Sequence, residues 1–339
     1  MKIKNFSFDL PQELIAQNPP EERGTANLMV LNRDTHTIEH KNMQDFVDLV
    51  EPGTLVIFNN SRVRKARVYA QSKTGGKVEF FFLEEQDPSH WKCMVSKAKK
   101  QKVGKVLSFP GGVTGTIREE LSTNHRLVEF SEEIDETWLE EHGHIPLPPY
   151  IKREDTASDS ERYQSVFSSE TGSVAAPTAS LHFTEDILEK LEAKGIETAY
   201  VTLHVGLGTF EPVRTEKLLD HKMHEEQFFV SDETADKVEK ARREGRPILA
   251  VGTTSIRTLE SAWEGEKLHR GLSSTKLFIY PGYEFKVVNR VFTNFHTPES
   301  TLLVLVSTFA GQEYIRKAYA EAVEKRYMFF SYGDAMMIQ

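Results

Sequence analysis

The sequence predicts an α/β fold in which a layered α/β/α main domain carries an inserted, small all-β barrel domain. Residues 63–145 contain six short β-type runs separated by turn residues, with no long helical period. Residues 146–339 alternate helical and strand patterns, which is typical of a layered α/β domain. Residues 1–62 contain short apolar runs of the kind that buried strands show, so they are assigned to the main domain.

In the first part of the chain, Asp9 is predicted to cap a short helix that runs to Ala16, with Pro11 at a permitted early position. Leu28–Leu31 and Leu55–Phe58 are predicted strands. A length of 339 residues agrees with about two domains.

The runs of the predicted barrel are bounded by glycine, Asp-Pro and asparagine turn signals. They are Val63–Ser72, Lys77–Leu83, Trp91–Val95, Lys105–Phe109, Gly115–Arg118 and Arg126–Phe130. The acidic segment Glu132–Glu141 is predicted to form a solvated helix that leads out of the barrel.

The last part of the chain supplies the remaining elements of the main domain. Its predicted helices are Thr184–Lys194, Thr234–Glu244, Ser255–Trp263 and Glu313–Tyr327. Its predicted strands are Thr198–Leu203, Ile248–Val251, Leu277–Tyr280 and Thr301–Val306.

Composition excludes several classes of protein. Hydrophobic residues make up 39% and charged residues 27% of the chain, which excludes general disorder. The longest apolar run, Thr301–Val306, is far short of the ~20 residues that a membrane helix needs. Cys93 is the only cysteine, which excludes an internal disulfide and a cysteine-built zinc site. Met1–Asp9 lacks a signal-peptide pattern, so a cytoplasmic protein is expected.

The net charge of −9, from 42 basic and 51 acidic residues, argues against nucleic-acid binding through bulk charge. Two local clusters of positive charge remain, and either could be a solvated loop or a face that follows a phosphate backbone. The first comprises Arg62, Arg64, Lys65, Arg67, Lys73 and Lys77. The second comprises Lys97, Lys99, Lys100, Lys102 and Lys105, with no acidic residue between Lys92 and Phe109.

Two segments rich in small residues are candidates for ligand contact. Gly172–Thr184 lets a backbone approach a ligand before a helix, and His182 at its end is a candidate acid or base. The alternative is a tight loop with a structural histidine. His204–Phe210 follows a strand with two glycines, but it lacks the third glycine of the dinucleotide fingerprint.

Two further segments carry charged groups. His221 and His224 are predicted on one face of a helix, as a metal pair, a polar rim or a hydrated face; no third ligand is evident. Val251–Glu260 is a strand, a glycine turn and a hydroxyl-rich helix start, suited to an anion or a ribose. There Arg257 is a candidate ligand for a carboxylate, and Glu260 either pairs with it or binds a cation.

Near the C-terminus, Thr293–Thr301 crowds amides, a histidine and hydroxyls into a loop, which favours function over packing. Phe329–Met337 is aromatic and sulfur-rich, and either stacks on a purine or lines a core.

These segments together resemble the S-adenosylmethionine:tRNA ribosyltransferase-isomerase family of queuosine biosynthesis, nearly end to end. The shared motifs are Phe8–Gln17, Gly143–Ile151, Glu161–Gln164, Val174–Thr178, His204–Phe210, Lys222–Glu225, Val251–Ser255, Phe278–Tyr283, Thr293–His296 and Phe330–Met336. The chain departs from the family pattern at Asn59-Asn60-Ser61, where Asn-Asp-Thr is usual, and at Ala26-Asn27, where Ser-Arg is usual. Ser180 and Thr297 stand where the family often has Gly and Leu.

The resemblance implies transfer and isomerisation of the ribosyl group of S-adenosylmethionine onto 7-aminomethyl-7-deazaguanine in tRNA. The products are epoxyqueuosine-tRNA, adenine and methionine. It implies no cofactor and no metal, because S-adenosylmethionine is consumed as a co-substrate. The expected partners are the tRNA and S-adenosylmethionine, with no membrane, and a monomer is favoured over a stable oligomer.

The residue roles are hypotheses that rest on this resemblance. Acid–base chemistry is assigned to His182, His204, His224, Glu225 and His296. Binding of S-adenosylmethionine is assigned to Thr178, Thr209, Thr253, Thr254, Arg257, Asn294, Tyr332 and Asp334, the last two on the adenine side. Binding of tRNA is assigned to Arg62, Arg64, Arg67, Lys97, Lys99, Lys100 and Lys102. The alternatives are a non-catalytic tRNA-binding protein of the same fold and a metal-dependent hydrolase that uses His221 and His224.

Overall fold

The computed structural model describes residues 1–206 and 215–339, and residues 207–214 lie outside the described part. Contacts divide the chain into two compact units. The main unit comprises Met1–Arg62, Pro148–Arg153 and Arg162–Gln339. The barrel unit comprises Val63–Leu147 and Glu154–Glu161, whereas the sequence prediction has the insert at 63–145.

The described strands are numbered in chain order. They are β1 (Asn27–Asn32), β2 (Thr37–Asn42), β3 (Leu55–Asn59), β4 (Ser61–Val63), β5 (Arg67–Ser72), β6 (Lys77–Asp87), β7 (His90–Val95), β8 (Val106–Ser108), β9 (Thr114–Glu120), β10 (His125–Phe130), β11 (Glu170–Ser173), β12 (Glu197–Leu203), β13 (Glu226–Val230), β14 (Ile248–Val251), β15 (Trp263–Glu264), β16 (Lys267–Leu268), β17 (Gly271–Thr275), β18 (Arg290–Asn294) and β19 (Ala335–Ile338).

The described α-helices are numbered in the same way. They are α1 (Phe46–Leu49), α2 (Glu136–His142), α3 (Asp159–Arg162), α4 (Glu185–Ala193), α5 (Asp232–Arg243), α6 (Thr253–Ala262), α7 (Thr301–Ala310) and α8 (Gln312–Glu324).

A nine-stranded sheet in the order β17-β13-β12-β3-β14-β18-β19-β1-β2 forms the centre of the main unit. Strands β12, β3, β14 and β18 are parallel neighbours, so their carboxyl ends share one edge. Successive residues of β3 enter different cores: Leu55 and Ile57 pack with α5–α8, whereas Val56 and Phe58 pack with α1 and α4. This alternation places helices on both faces of the sheet. The predicted α/β/α layering is confirmed.

The barrel unit closes on itself in the strand order β10-β7-β6-β5-β8-β9. Its strands alternate between core and surface, as in β7, where Trp91, Cys93 and Val95 are buried. The aromatic rings of Phe80, Phe82 and Trp91 help to fill the interior. The predicted small all-β barrel is confirmed.

Side-chain caps explain where several helices begin. The Thr184 hydroxyl accepts from the Ile187 N–H at 3.2 Å, and the Ser231 hydroxyl accepts from the Thr234 N–H at 3.1 Å. Each bond satisfies one of the free N–H groups of a first helical turn. The predicted helices at 184–194 and 234–244 are confirmed, with ends that shift by one or two residues.

The predicted strand at Thr301–Val306 is wrong, because this segment is the first part of α7. A short apolar run fits a buried strand and a buried helix equally well. The deciding group is Ser300, whose side chain caps the helix by accepting from the Leu303 N–H at 3.1 Å.

Three other predicted elements differ in the structure. Asp9 caps no helix, since only a 3-10 turn at Gln12–Leu14 forms and the Ala16 N–H donates to Phe329 O. Leu277–Tyr280 is not a strand; Leu277 O accepts from the Arg257 side chain instead. The helix expected from Glu132 begins at Glu136, after its cap Asp135.

In the part of the chain that the structure describes, no helix combines the length and apolar character needed to cross a membrane.

Candidate active site

A pocket of about 250 Å³ opens in the main unit at the edge where the parallel strands end. This is where α/β sheets place their ligands, because loops and helix starts meet there. Its lining joins Val205 after β12, Gly252 after β14 and Asn294 at the end of β18. The other lining residues are Tyr150, Ala176, Pro177, Thr178, Ala179, Thr253, Thr254, Thr293, Phe295, His296, Thr297, Pro298, Glu299, Ser300, Thr301, Leu302, Phe330 and Ser331.

The start of α6 forms one wall of this pocket, as the strand–glycine–helix pattern predicts. Gly252 has a φ of +84° and donates its N–H to Phe292 O at 2.7 Å, a conformation that favours glycine. The Thr254 hydroxyl accepts from Asn59 Nδ2 at 3.1 Å. The first turn of α6 therefore presents hydroxyls and free N–H groups to the pocket.

Asn294 links the pocket to His182. Its Nδ2 donates to His182 Nε2 at 2.9 Å, and its Oδ1 accepts from the Thr178 hydroxyl at 3.2 Å. Burial, followed by the positive charge of Arg23, lowers the pKa of His182 to about 4. His182 is therefore a neutral acceptor that lies behind Asn294, outside the pocket lining.

His296 lines the pocket itself. Its Nε2 lies 3.1 Å from the Thr293 hydroxyl, and its backbone N–H donates to the Tyr319 hydroxyl at 3.0 Å. Burial lowers the pKa of His296 to about 3, so the ring is neutral at physiological pH. A neutral imidazole has a lone pair with which to accept a proton.

The other predicted acid–base residues are not among the residues that line this pocket. His204 Nδ1 is 2.9 Å from the Ser61 hydroxyl, and its ring fills the space beside Gly172. His224 and Glu225 are exposed, and residues 221–225 do not form a helix, so the predicted helical His221/His224 pair is wrong. The Glu225 carboxylate accepts from the Ser274 hydroxyl and the Lys276 ammonium, and these bonds lower its pKa.

Arg257 and Glu260 also differ from the prediction. The Arg257 guanidinium forms a buried ion pair with Glu226, which in turn accepts from the Gly206 N–H at 3.2 Å. Glu260 accepts from the N–H groups of residues 286–288 at 2.8–3.0 Å instead of pairing with Arg257. Neither side chain faces the pocket, because both are used to hold neighbouring loops.

Asp334 and Tyr332 are buried outside the lining. The Asp334 carboxylate accepts from the N–H groups of Asn27 and Met328, each at 2.7 Å, and burial raises its pKa. The Tyr332 ring meets that of Tyr163 edge to face at a centroid distance of 5.8 Å. Thr209, the remaining predicted contact, lies outside the described residues.

Several lining residues were not assigned a role from the sequence. Tyr150 follows a proline-rich segment that gives no periodic signal. Phe330 and Ser331 lie in the aromatic segment for which purine stacking and core packing were both open. Glu299, whose φ is +56°, supplies a carboxylate to the lining. Only the tertiary fold brings these residues to the same pocket.

The predicted RNA-binding residues of the barrel unit fall into two groups. Arg64 pairs with Glu136 and packs over Trp91, and Arg67 pairs with Glu79 at 2.9 Å, so their charges are balanced. The four lysines are exposed, and Lys102 lies 3.4 Å from Glu120. They are Lys97, Lys99, Lys100 and Lys102. Arg62, in the main unit, is partly buried.

Arg126 holds the backbone beneath these lysines. It is 1% exposed, and its guanidinium donates to the carbonyls of Ala98, Gln101, Ser122 and His125, each at 2.8 Å. Two of these carbonyls, those of Ala98 and Gln101, belong to the loop of residues 97–105, called here the lysine loop, so Arg126 holds the backbone of this loop. The ammonium groups of Lys97 and Lys105 donate to the Lys77 and Lys100 carbonyls at 3.2 and 3.1 Å, while the side chains of Lys99 and Lys100 are exposed.

Among residues 1–206 and 215–339, no group of three His, Cys, Asp or Glu side chains lies close enough together to hold a metal ion.

Comparison with known proteins extends over the whole chain. A family profile described as "Queuosine biosynthesis protein" matches residues 3–338. The S-adenosylmethionine:tRNA ribosyltransferase-isomerase of Treponema denticola is 52% identical over 346 residues, covering 100% of both chains. The protein of the same name from Clostridioides difficile is 48% identical over 343 residues, again covering 100% of both chains.

A solved structure shares the fold. It is the crystal structure of an S-adenosylmethionine tRNA ribosyltransferase from Thermotoga maritima, 36% identical, with a TM-score of 0.57. The match covers 99% of this chain and 100% of that one.

Proposed function

Because the chain belongs to the queuosine biosynthesis family, we propose that it is an S-adenosylmethionine:tRNA ribosyltransferase-isomerase whose chemistry takes place in the pocket at the ends of β12, β14 and β18. It transfers and isomerises the ribosyl group of S-adenosylmethionine onto 7-aminomethyl-7-deazaguanine in tRNA. Epoxyqueuosine-tRNA is formed, and adenine and methionine are released.

The observation that carries the proposal is the composition of the pocket. It joins a neutral imidazole, a hydroxyl-rich helix start and one carboxylate, that of Glu299, among the described lining residues. Hydroxyls and helix N–H groups suit the ribose and the methionine carboxylate. Glu299 is suited to attract the positive sulfonium.

The reaction needs proton transfer at three points. A base removes a proton from the carbon beside the sulfonium, leaving an ylide. The bond between ribose and adenine breaks with its electron pair passing to adenine, which takes up a proton, and the electron pair of the ylide forms a new carbon–carbon bond within the ribosyl fragment. The aminomethyl nitrogen bonds to a ribosyl carbon and loses a proton. Closure of the epoxide forms a C–O bond while the C–S bond breaks, and the electron pair of that bond leaves with methionine.

His296 is the residue we assign to this proton transfer. It is the one of the five predicted acid–base residues that lines the pocket. Burial keeps the ring unprotonated before the reaction, so a ring nitrogen has a lone pair that can accept a proton. His182 acts through Asn294, which it holds by the 2.9 Å hydrogen bond between their side chains.

The remaining contacts are proposed on the same basis. Thr178, Thr253, Thr254 and Asn294 hold the ribose and the methionine carboxylate of S-adenosylmethionine. Lys97, Lys99, Lys100 and Lys102 contact tRNA phosphates, and this local face is compatible with a net charge of −9. The enzyme needs no cofactor because S-adenosylmethionine is consumed. We propose that it works as a monomer in the cytoplasm, where both substrates occur.

The test is an assay of adenine release from S-adenosylmethionine. We expect release only when tRNA carrying the aminomethyl deazaguanine is present, and at the same rate with or without a chelator. Release without that tRNA would contradict the proposed transfer. Loss of release with the chelator would indicate a metal-dependent enzyme, and tRNA binding without any release would indicate a binding protein.

A further inference from the structure

Phe330 has a backbone conformation that bulky residues rarely adopt. Its φ is +74°, in the left-handed region. Such a conformation is unfavourable for a residue with a side chain and persists only where the surrounding structure enforces it. Here the Phe330 N–H donates to Phe295 O at 3.1 Å, while its carbonyl accepts from the Gly333 N–H at 3.0 Å and from Asn294 Nδ2 at 3.2 Å.

The turn around Phe330 is fixed by a second set of bonds. The Asp334 carboxylate accepts from the Met328 N–H at 2.7 Å, and the Asp334 N–H donates to Met328 O at 2.7 Å. At Gly333 an added Cβ would lie 2.4 Å from Met328 O, so no larger residue fits there. Asp334 thus holds the turn that presents Phe330 and Ser331 to the pocket.

Tyr150, in the short segment Pro148–Arg153 of the main unit, packs against this turn. Its ring centroid lies 4.7 Å from that of Phe330, with the planes tilted by 54°. Its hydroxyl lies 2.5 Å from the Ser331 hydroxyl. Burial raises the pKa of Tyr150 to about 12, so the phenol keeps its proton. All three residues line the pocket, and they form what we call the aromatic wall.

We propose that the aromatic wall, made by Tyr150, Phe330 and Ser331, is the subsite that holds the adenine of S-adenosylmethionine. The inference rests on the proposed function and adds a location for the leaving base. A planar heterocycle stacks on an aromatic face, and its ring nitrogens accept hydrogen bonds from hydroxyls. The wall offers both groups side by side.

The depth of the wall favours the free co-substrate over the base carried by tRNA. Phe330 is 7% exposed and Ser331 is 3% exposed, so a ligand reaches both from inside the pocket, which a free nucleoside enters more readily than a base attached to tRNA. The wall also replaces the earlier assignment of the adenine side to Tyr332 and Asp334, which lie outside the lining.

The experiment measures binding of S-adenosylmethionine and of 5′-methylthioadenosine, which shares its adenine and ribose, by calorimetry. Tyr150→Phe and Ser331→Ala each remove a hydroxyl, and we expect both ligands to bind about fivefold more weakly. Phe330→Leu removes the stacking face, and we expect a loss of about tenfold for both ligands. Phe330→Tyr keeps the face and should restore the affinity.

Tyr314→Phe is the matched control, because the Tyr314 hydroxyl shares its proton between Thr37 O at 2.6 Å and Asn32 O at 3.1 Å, at the turn between β1 and β2 and outside the pocket lining. Thermal unfolding of each variant separates loss of binding from loss of folding. Unchanged affinity for both ligands in folded Tyr150→Phe, Ser331→Ala and Phe330→Leu would overturn the subsite. Weaker binding of tRNA alone would overturn it too, because the wall would then hold the deazaguanine. Failure of the proposed function is distinct, since it would appear as absent adenine release in the unchanged protein.

Discussion

The pocket of the main unit and the lysine loop of the barrel unit differ in how they present polar groups to a ligand. In the pocket, His296 is neutral and buried, and the polar groups of Asn294 and Thr178 bond to one another. In the lysine loop, four lysine residues are exposed and Arg126 holds the backbone beneath them. The pocket therefore selects by shape and hydrogen bonding, whereas the loop attracts by charge.

This difference predicts how ligand binding in each region depends on ionic strength. Hydrogen bonds and stacking in a buried pocket depend weakly on ionic strength. Contacts between exposed lysines and phosphates release counterions and depend steeply on it. Substitutions in the pocket should therefore affect the rate of the reaction. Substitutions in the lysine loop should affect tRNA affinity and its dependence on salt.

The largest expected effect is at the centre of the pocket. His296→Ala removes the proposed acid–base group, and we expect adenine release to fall by about 10²- to 10⁴-fold. Affinity for tRNA and its dependence on salt should stay the same. The measurement is single-turnover release with saturating modified tRNA.

His224→Ala is the comparison for that change, because His224 is exposed and outside the pocket lining. An equal loss of release in both variants would contradict the assignment to His296. So would a rate in His296→Ala that stays close to that of the unchanged protein.

An intermediate effect is expected in the lysine loop. Replacing its four exposed lysines at 97, 99, 100 and 102 together by glutamine should weaken tRNA binding by about 100-fold at moderate salt. The slope of log affinity against log salt should become less negative by about 3–4. Affinity for S-adenosylmethionine should be unchanged. Filter binding over a range of salt concentrations measures the tRNA affinity and its dependence on salt.

Four exposed lysines of the main unit provide the matched control, since their replacement by glutamine changes net charge equally. They are Lys190, Lys240, Lys267 and Lys317. If the control variant loses as much RNA affinity as the loop variant, bulk charge and not a local face is responsible.

A further effect concerns how the stability of the main unit depends on pH. Burial holds the pKa of His182 at about 4 and that of His296 at about 3, below the unfolded value near 6.5. At a pH between the folded and the unfolded pKa of each histidine, the unfolded chain binds more protons than the folded chain. The free energy of unfolding therefore falls as pH drops below about 6.5. Each histidine contributes at most about 1.4 kcal/mol per pH unit, and the curve is flat for these groups above about 7.

Denaturant unfolding of the whole chain at pH 7.5, 6.0 and 5.0 tests this linkage. A variant with both histidines changed to asparagine should lose part of the decline seen in the unchanged protein. A decline of the same steepness in both proteins would assign it to other groups.

The barrel could be predicted from the sequence more fully than the main unit. Strands such as His90–Val95 and His125–Phe130 alternate between buried and partly exposed residues, and turn residues separate the strands, so local pattern contains most of the information. In the main unit, Thr301–Val306 lacked such alternation because the helix α7 is buried nearly all round. Its cap at Ser300 was the available signal.

The pocket was partly predictable for a related reason. Gly252-Thr253-Thr254 follows a strand, and such a position faces ligands in any α/β sheet, so its place could be inferred locally. The partners of Arg257 and Asp334 could not, because each depends on a residue distant in the chain: Glu226 and Asn27. The position of Phe330 depends on a strained φ that no residue preference indicates.

The ends of the barrel also bear on how the chain folds. Arg67 and His144 exchange two backbone hydrogen bonds, of 3.3 and 2.7 Å, close to where the chain enters and leaves the barrel unit. A pair of this kind brings the two α-carbons to about 5.5 Å. Once the barrel has formed, its two ends are held close together. The roughly 80 residues between them then cost the main unit only the loop-closure entropy of a short loop. An insertion of this size thus delays the pairing of β3 with β12 and β14 far less than a flexible loop of equal length would.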